Sequence, residues 1–78
     1  MKLPRDVSGD RVIKMLRGIG YAVTRQKGSH VQLHHPGPPA HSVTVPAHSN
    51  LKTGTLHGLL SDVAHRRGIP LENLVSSL

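Results

Sequence analysis

The sequence has no cysteine, tryptophan or phenylalanine, and Tyr21 is its single aromatic residue. Without cysteine there are no disulfides, no thiol nucleophile and none of the usual zinc-finger ligand sets. A core so poor in rings has to be aliphatic, built from Leu, Val and Ile. Negative charge is scarce as well: four Asp and Glu stand against ten Lys and Arg, a formal net charge of +6. So one-sided a balance attracts polyanions and speeds their encounter. Long apolar runs are also missing. Lys14 and Arg17 interrupt the only candidate between Met1 and Gly20, which leaves neither a signal peptide nor a membrane span. The expectation is a soluble, cytoplasmic protein. Membrane-active basic peptides share the charge but require a strongly amphipathic helix with apolar anchors, whereas the middle third of this chain alternates like a sheet.

What is present fits one domain, residues 1–78, near the lower size limit for a self-sufficient apolar core. Met1 to Val7 is a leader with no assignment. Ser8 caps a helix and Asp10 sits in its first turn, where the helix dipole favours negative charge. Val12, Ile13, Leu16 and Ile19 form one stripe, with Lys14 and Arg17 on the other side and Gly20 as the stop. From Tyr21 the period becomes two. A first strand runs to Lys27, Gly28-Ser29 makes a turn, and a second strand runs from His30 to His35. In the second strand Val31 and Leu33 share one side, and His30, Gln32 and His34 the other. Pro36, Gly37, Pro38 and Pro39 form the connection to a third strand, His41 to Val45, with Val43 and Val45 inward and Pro46 as its end. Leu56, Leu59, Leu60, Val63 and Ala64 make a second helical stripe, stopped by Gly68, and Pro70 introduces a short helix carrying Leu71, Leu74, Val75 and Leu78. The fold class is α+β, in the order α-β-β-β-α with a small helix appended. A three-stranded antiparallel sheet has both longer helices on one face and leaves the other open to water.

Four segments form a specific series: Arg25-Gln26-Lys27-Gly28-Ser29-His30, the break His35-Pro36, Val43-Thr44-Val45-Pro46, and Leu51-Lys52-Thr53-Gly54-Thr55-Leu56. Together they resemble the HicA family of toxin endoribonucleases, from about Val12 onward, and Gly68 to Leu74 is similar to the tail of longer members. The resemblance implies a fold like the double-stranded-RNA-binding domain. It further implies metal-independent, ribosome-independent cleavage of mRNA, with the Gly-Ser-His histidine essential. That histidine is His30, and the motif is intact. The implied partner is a HicB-type antitoxin that covers the toxin, and no cofactor is implied. The family usually carries more aromatic residues than Tyr21 alone.

RNA brings its own nucleophile, the 2′-hydroxyl beside each phosphodiester. Cleavage needs a proton acceptor, a proton for the departing 5′-oxygen, and positive charge on the phosphorane. Imidazole, with an ordinary pKa near 6.5, serves as acid or base at cellular pH. His30 opens a strand directly after a turn, and Lys27 lies close enough in sequence to charge the phosphate. Ser29 either orients His30, bonds the phosphate or only makes the turn, and Gly28 allows the backbone to turn or to approach substrate closely. Lys52-Thr53-Gly54-Thr55 opens the second helix, where free N–H groups attract anions; an ordinary cap by Thr53 explains the same residues. Arg25 extends the basic track, but the face it takes is not set by sequence parity. Seven histidines invite a metal, yet their spacing opposes one. His34 and His35 point to opposite faces, and His57 and His65 lie roughly 12 Å apart along a helix. His41 and His48 are the remaining candidates for a second proton-transfer group. The competing reading is a non-catalytic module of the same fold that grips RNA or DNA through shape and phosphates.

Overall fold

A computed structural model describes residues 3–78; Met1 and Lys2, part of the unassigned leader, lie outside the described residues. Three helices and three strands follow the expected order: α1 (Gly9–Gly18), β1 (Ala22–Lys27), β2 (His30–His35), β3 (His41–Pro46), α2 (Thr53–Arg67) and α3 (Leu71–Ser76). The Ser8 hydroxyl accepts from the Arg11 backbone N–H at 3.1 Å, which fixes the start of α1. Its end is closed by Ile19 and by Gly20, whose φ of 105° is open to glycine and to few other residues. The α2 stop at Gly68 is likewise left-handed.

The sheet is antiparallel in the order β1-β2-β3. Val31, Leu33, Val43 and Val45 are buried on one face beneath Val12, Met15 and Leu16 of α1 and Leu56, Leu60 and Val63 of α2, while Leu74 of α3 closes one aliphatic core. Tyr21 completes that core. Among the described residues no helix covers the other sheet face. Gly9 is buried against the end of β3, and a β-carbon there would collide with the Pro46 carbonyl.

Local details depart from the sequence-based expectations. Tyr21 precedes β1 instead of beginning it, and β3 extends through Pro46, which pairs with His30 at the sheet margin. A proline is tolerated there because an edge position demands no ladder donor. Val23 is 45% exposed, because β1 is an edge strand that the helices do not cover. The α2 cap is not Thr53. The cap residue is Lys52, no side chain bonds the free N–H groups, and Thr53 is the first helical residue.

Candidate active site

The turn that delivers His30 has two residues. Gly28 has φ 57° and Ser29 does not share the positive angle, the φ pattern of a type II′ hairpin turn, whose first central position favours glycine. The Gln26 side-chain amide donates to the Gly28 carbonyl at 3.3 Å. The Ala47 N–H donates to the Ser29 carbonyl, tying the chain beyond β3 to the turn. His30 is thereby held from both flanks, opposite Lys27 on β1 and Pro46 on β3.

Which face Arg25 and Lys27 take is decided by an irregularity in β1. Val23 pairs with Leu33, but the next pair is Arg25 with Gln32, so two steps on β1 oppose one on β2. Thr24 is the extra residue of this bulge, and its hydroxyl donates to the Gln32 carbonyl at 3.3 Å. Val23 sits opposite the core-facing Leu33; without the bulge Arg25 and Lys27 would share that side. With it they pair with Gln32 and His30 on the open face.

The result is a shallow cleft of about 300 Å³ lined by Arg25, Lys27, His30, Gln32 and Thr44. Three residues expected from sequence meet there, with Gly28 and Ser29 forming the supporting turn. Lys52 and Thr53 do not line it. Gln32 and Thr44 were not anticipated as site residues; the signal was their parity, since both lie on the polar side of their strands and pair directly. His34, farther along the same face, has its Nδ1 3.3 Å from the Ser42 hydroxyl.

His41 is excluded as the second proton-transfer group. It is buried on the helix side of the sheet, with Nε2 2.6 Å from the Tyr21 hydroxyl and Nδ1 2.8 Å from the Pro39 carbonyl. A nitrogen facing a carbonyl carries hydrogen, so in neutral His41 the other nitrogen accepts the Tyr21 O–H. His48 is exposed in the loop after β3, and its carbonyl, not its ring, is engaged, by the Gly9 N–H at 2.8 Å. His35, the inward neighbour of His34, accepts the Gly37 N–H on Nδ1 at 2.9 Å. Burial holds its pKa below the ordinary value, and the positive charge of Arg67 and neighbouring His41 and His34 act in the same direction, against the Ile19 carbonyl. The Tyr21 hydroxyl is pushed up, chiefly by burial.

These features define a small α+β protein whose bare sheet face presents a cationic, histidine-bearing cleft. The sequence model described as the HicA toxin of bacterial toxin–antitoxin systems matches residues 9–63 of the 78-residue chain. The chain belongs to the HicA toxin family, and its role is that of a toxin in such a system. The match takes in all three strands, the His30 turn and α2 as far as Val63. No curated protein sequence matches the chain. Among the described residues, no helix is long and apolar enough to cross a membrane.

Proposed function

We propose that the protein is a metal-independent endoribonuclease that cleaves mRNA in the cytoplasm at the His30 cleft, thereby inhibiting translation, and that a HicB-type antitoxin silences it by covering that cleft. The observation that carries this reading is the convergence of Arg25, Lys27 and His30 in one solvent-open cleft. RNA enters an open sheet face without having to displace packed protein. The Arg25 and Lys27 cations hold the phosphate and stabilise charge on the phosphorane. His30 moves the proton, either taking it from the 2′-hydroxyl as that oxygen attacks phosphorus or delivering one to the 5′-oxygen as its bond to phosphorus breaks. Both give a 2′,3′-cyclic phosphate and a free 5′-hydroxyl. Lys52 and Thr53, at the exposed start of α2, hold phosphate outside the cleft.

The second reading, an RNA-binding module without chemistry, is favoured by one feature: the cleft is lined by a single imidazole, His30, with no second one beside it. Incubating the protein and its His30→Ala variant with a long RNA in excess EDTA separates the two. Cleavage by the parent alone establishes the nuclease; RNA bound by both and cut by neither establishes the binding module.

A further inference from the structure

Only a minority of the positive charge lies at the cleft. Arg5, in the lead-in to α1, and Arg11, Lys14 and Arg17 on α1 are all exposed. Steps of three residues advance about 4.5 Å along the helix axis and rotate by about 60° in net terms. The three α1 cations therefore rise in a slanting row, within about a third of the helix circumference. They stand away from the Val12, Met15 and Leu16 stripe that packs on the sheet.

Three shallow grooves link these cations in succession. The first is bordered by Arg5 and Arg11, the second by Arg11 and Lys14, and the third by Lys14 and Arg17. Each groove shares a cation with the next. Asp10 is the one acidic side chain on their walls. Among the described residues the only salt bridge in the molecule is Arg66 with Asp62, so none of the four cations is neutralised by an ion pair.

The occupant of such a row is set by what it lacks. Protein interfaces derive most of their affinity from buried aromatic and aliphatic anchors at the centre of the patch. The apolar side chains in the grooves, among them Leu3, Ile13, Ile19, Val75 and Leu78, are only partly exposed because they pack against the core, and among the described residues the one exposed large hydrophobic side chain is Val23, on β1. A phosphodiester backbone needs no such anchor, because evenly spaced cations bind it by releasing its counterions.

We propose that Arg5, Arg11, Lys14 and Arg17 form a second RNA-docking track, which holds the phosphate backbone outside the cleft and gives the toxin a grip on long RNA that is separate from its chemistry. The proposal rests on RNA being the polymer bound at the cleft, and it extends that reading to the helix layer of the molecule. It predicts a division of labour. A short oligonucleotide occupies the cleft alone, whereas a long strand engages both surfaces.

The test uses the full chain carrying His30→Ala, so that RNA survives the measurement. Arg11→Gln, Lys14→Gln and Arg17→Gln are combined on it, since glutamine keeps helix propensity close to that of the residues replaced. Binding of a long polyuridine RNA and of a uridine hexamer is followed as a function of salt. The expected result with the long RNA is a fall of about 2 in the steepness of log affinity against log salt, at about 0.7 per phosphate contact on a single strand. Hexamer affinity stays within twofold. An unchanged slope overturns the proposal, as does an equal loss for both RNAs. If the substitutions instead abolish association with the antitoxin and leave the slope intact, the face belongs to a protein and the proposal is also overturned. A long-RNA slope that falls as expected, beside a parent protein that never cuts, removes the nuclease reading and leaves the track standing.

Discussion

His30 and His35 lie in one strand and face opposite ways, and they answer to different forces. His30 is exposed, so it fills no core, and replacing it changes the contacts of the cleft alone. The expected outcome for His30→Ala is a change in unfolding free energy within about 0.5 kcal/mol. With it comes a loss of RNA cleavage of roughly 100- to 10,000-fold, the range for removing a positioned acid or base. Urea titration and a single-turnover cleavage assay check the two halves. His35 is a structural acceptor. Its folded-state pKa is lowered, so between that value and the ordinary 6.5 the unfolded chain binds more protons than the folded one. Stability is therefore full above about pH 6.5, falls as pH drops below it, and levels off once the pH passes below the folded value. Protonation also removes the lone pair that accepts the Gly37 N–H. Urea midpoints measured from neutral to mildly acid pH will show this slope, and His35→Gln, which keeps an acceptor, will flatten it. A slope as steep in the variant would assign the acid sensitivity to another group.

At the scale of elements, the two helical stripes and the inward sides of β2 and β3 could be read from periodicity, because an aliphatic core records itself as spacing. Leu56, Leu60 and Val63 are buried where their spacing put them, and Leu60 is fully enclosed. Leu60→Ala is accordingly expected to cost about 2–5 kcal/mol, measurable by denaturant unfolding; Leu59, only partly buried, costs less. The bulge in β1 left no such record. A period of two shows which residues alternate but not where one of them is skipped in pairing, and β1 lies at the edge, where no buried side forces the pattern. Nor could the Tyr21, His35 and His41 contacts be foreseen, since they join residues far apart in sequence through side chains usually counted as surface. Deleting Thr24 tests the role of the bulge. The shortened strand pairs Val23, Arg25, Gln26 and Lys27 with Leu33, Gln32, Val31 and His30 without interruption, so Arg25 and Lys27 stay on the open face, and RNA affinity should persist together with helix content, followed by circular dichroism.

The whole molecule is a slab, 30 by 29 by 18 Å, with helices on one broad face and a bare sheet on the other. Its few carboxylates do little to offset the cations: Asp62 is engaged by Arg66, and Asp6 accepts from the Asn50 side-chain amide at 3.2 Å. The excess of charge and the layer order were both visible in the sequence, since neither depends on a particular side-chain contact. The distribution of that charge over two faces was not, because it follows from how the strands and helices are stacked. RNA affinity should fall steeply with added salt, and an antitoxin seated on the sheet face should compete with a short RNA for the protein. Filter binding with and without the partner distinguishes competition from simultaneous occupancy.

Tyr21 has one further consequence, an optical one. In a chain without tryptophan or phenylalanine it supplies the near-ultraviolet signal by itself. It lies in the core on the side of the sheet away from His30, with its hydroxyl bonded to His41. Its emission and circular dichroism therefore follow the integrity of the packed layer, and RNA bound at the exposed cleft would lie on the other side of the sheet from it. Folding can thus be followed through one native side chain with no label attached to the protein, while binding is read from a label on the RNA.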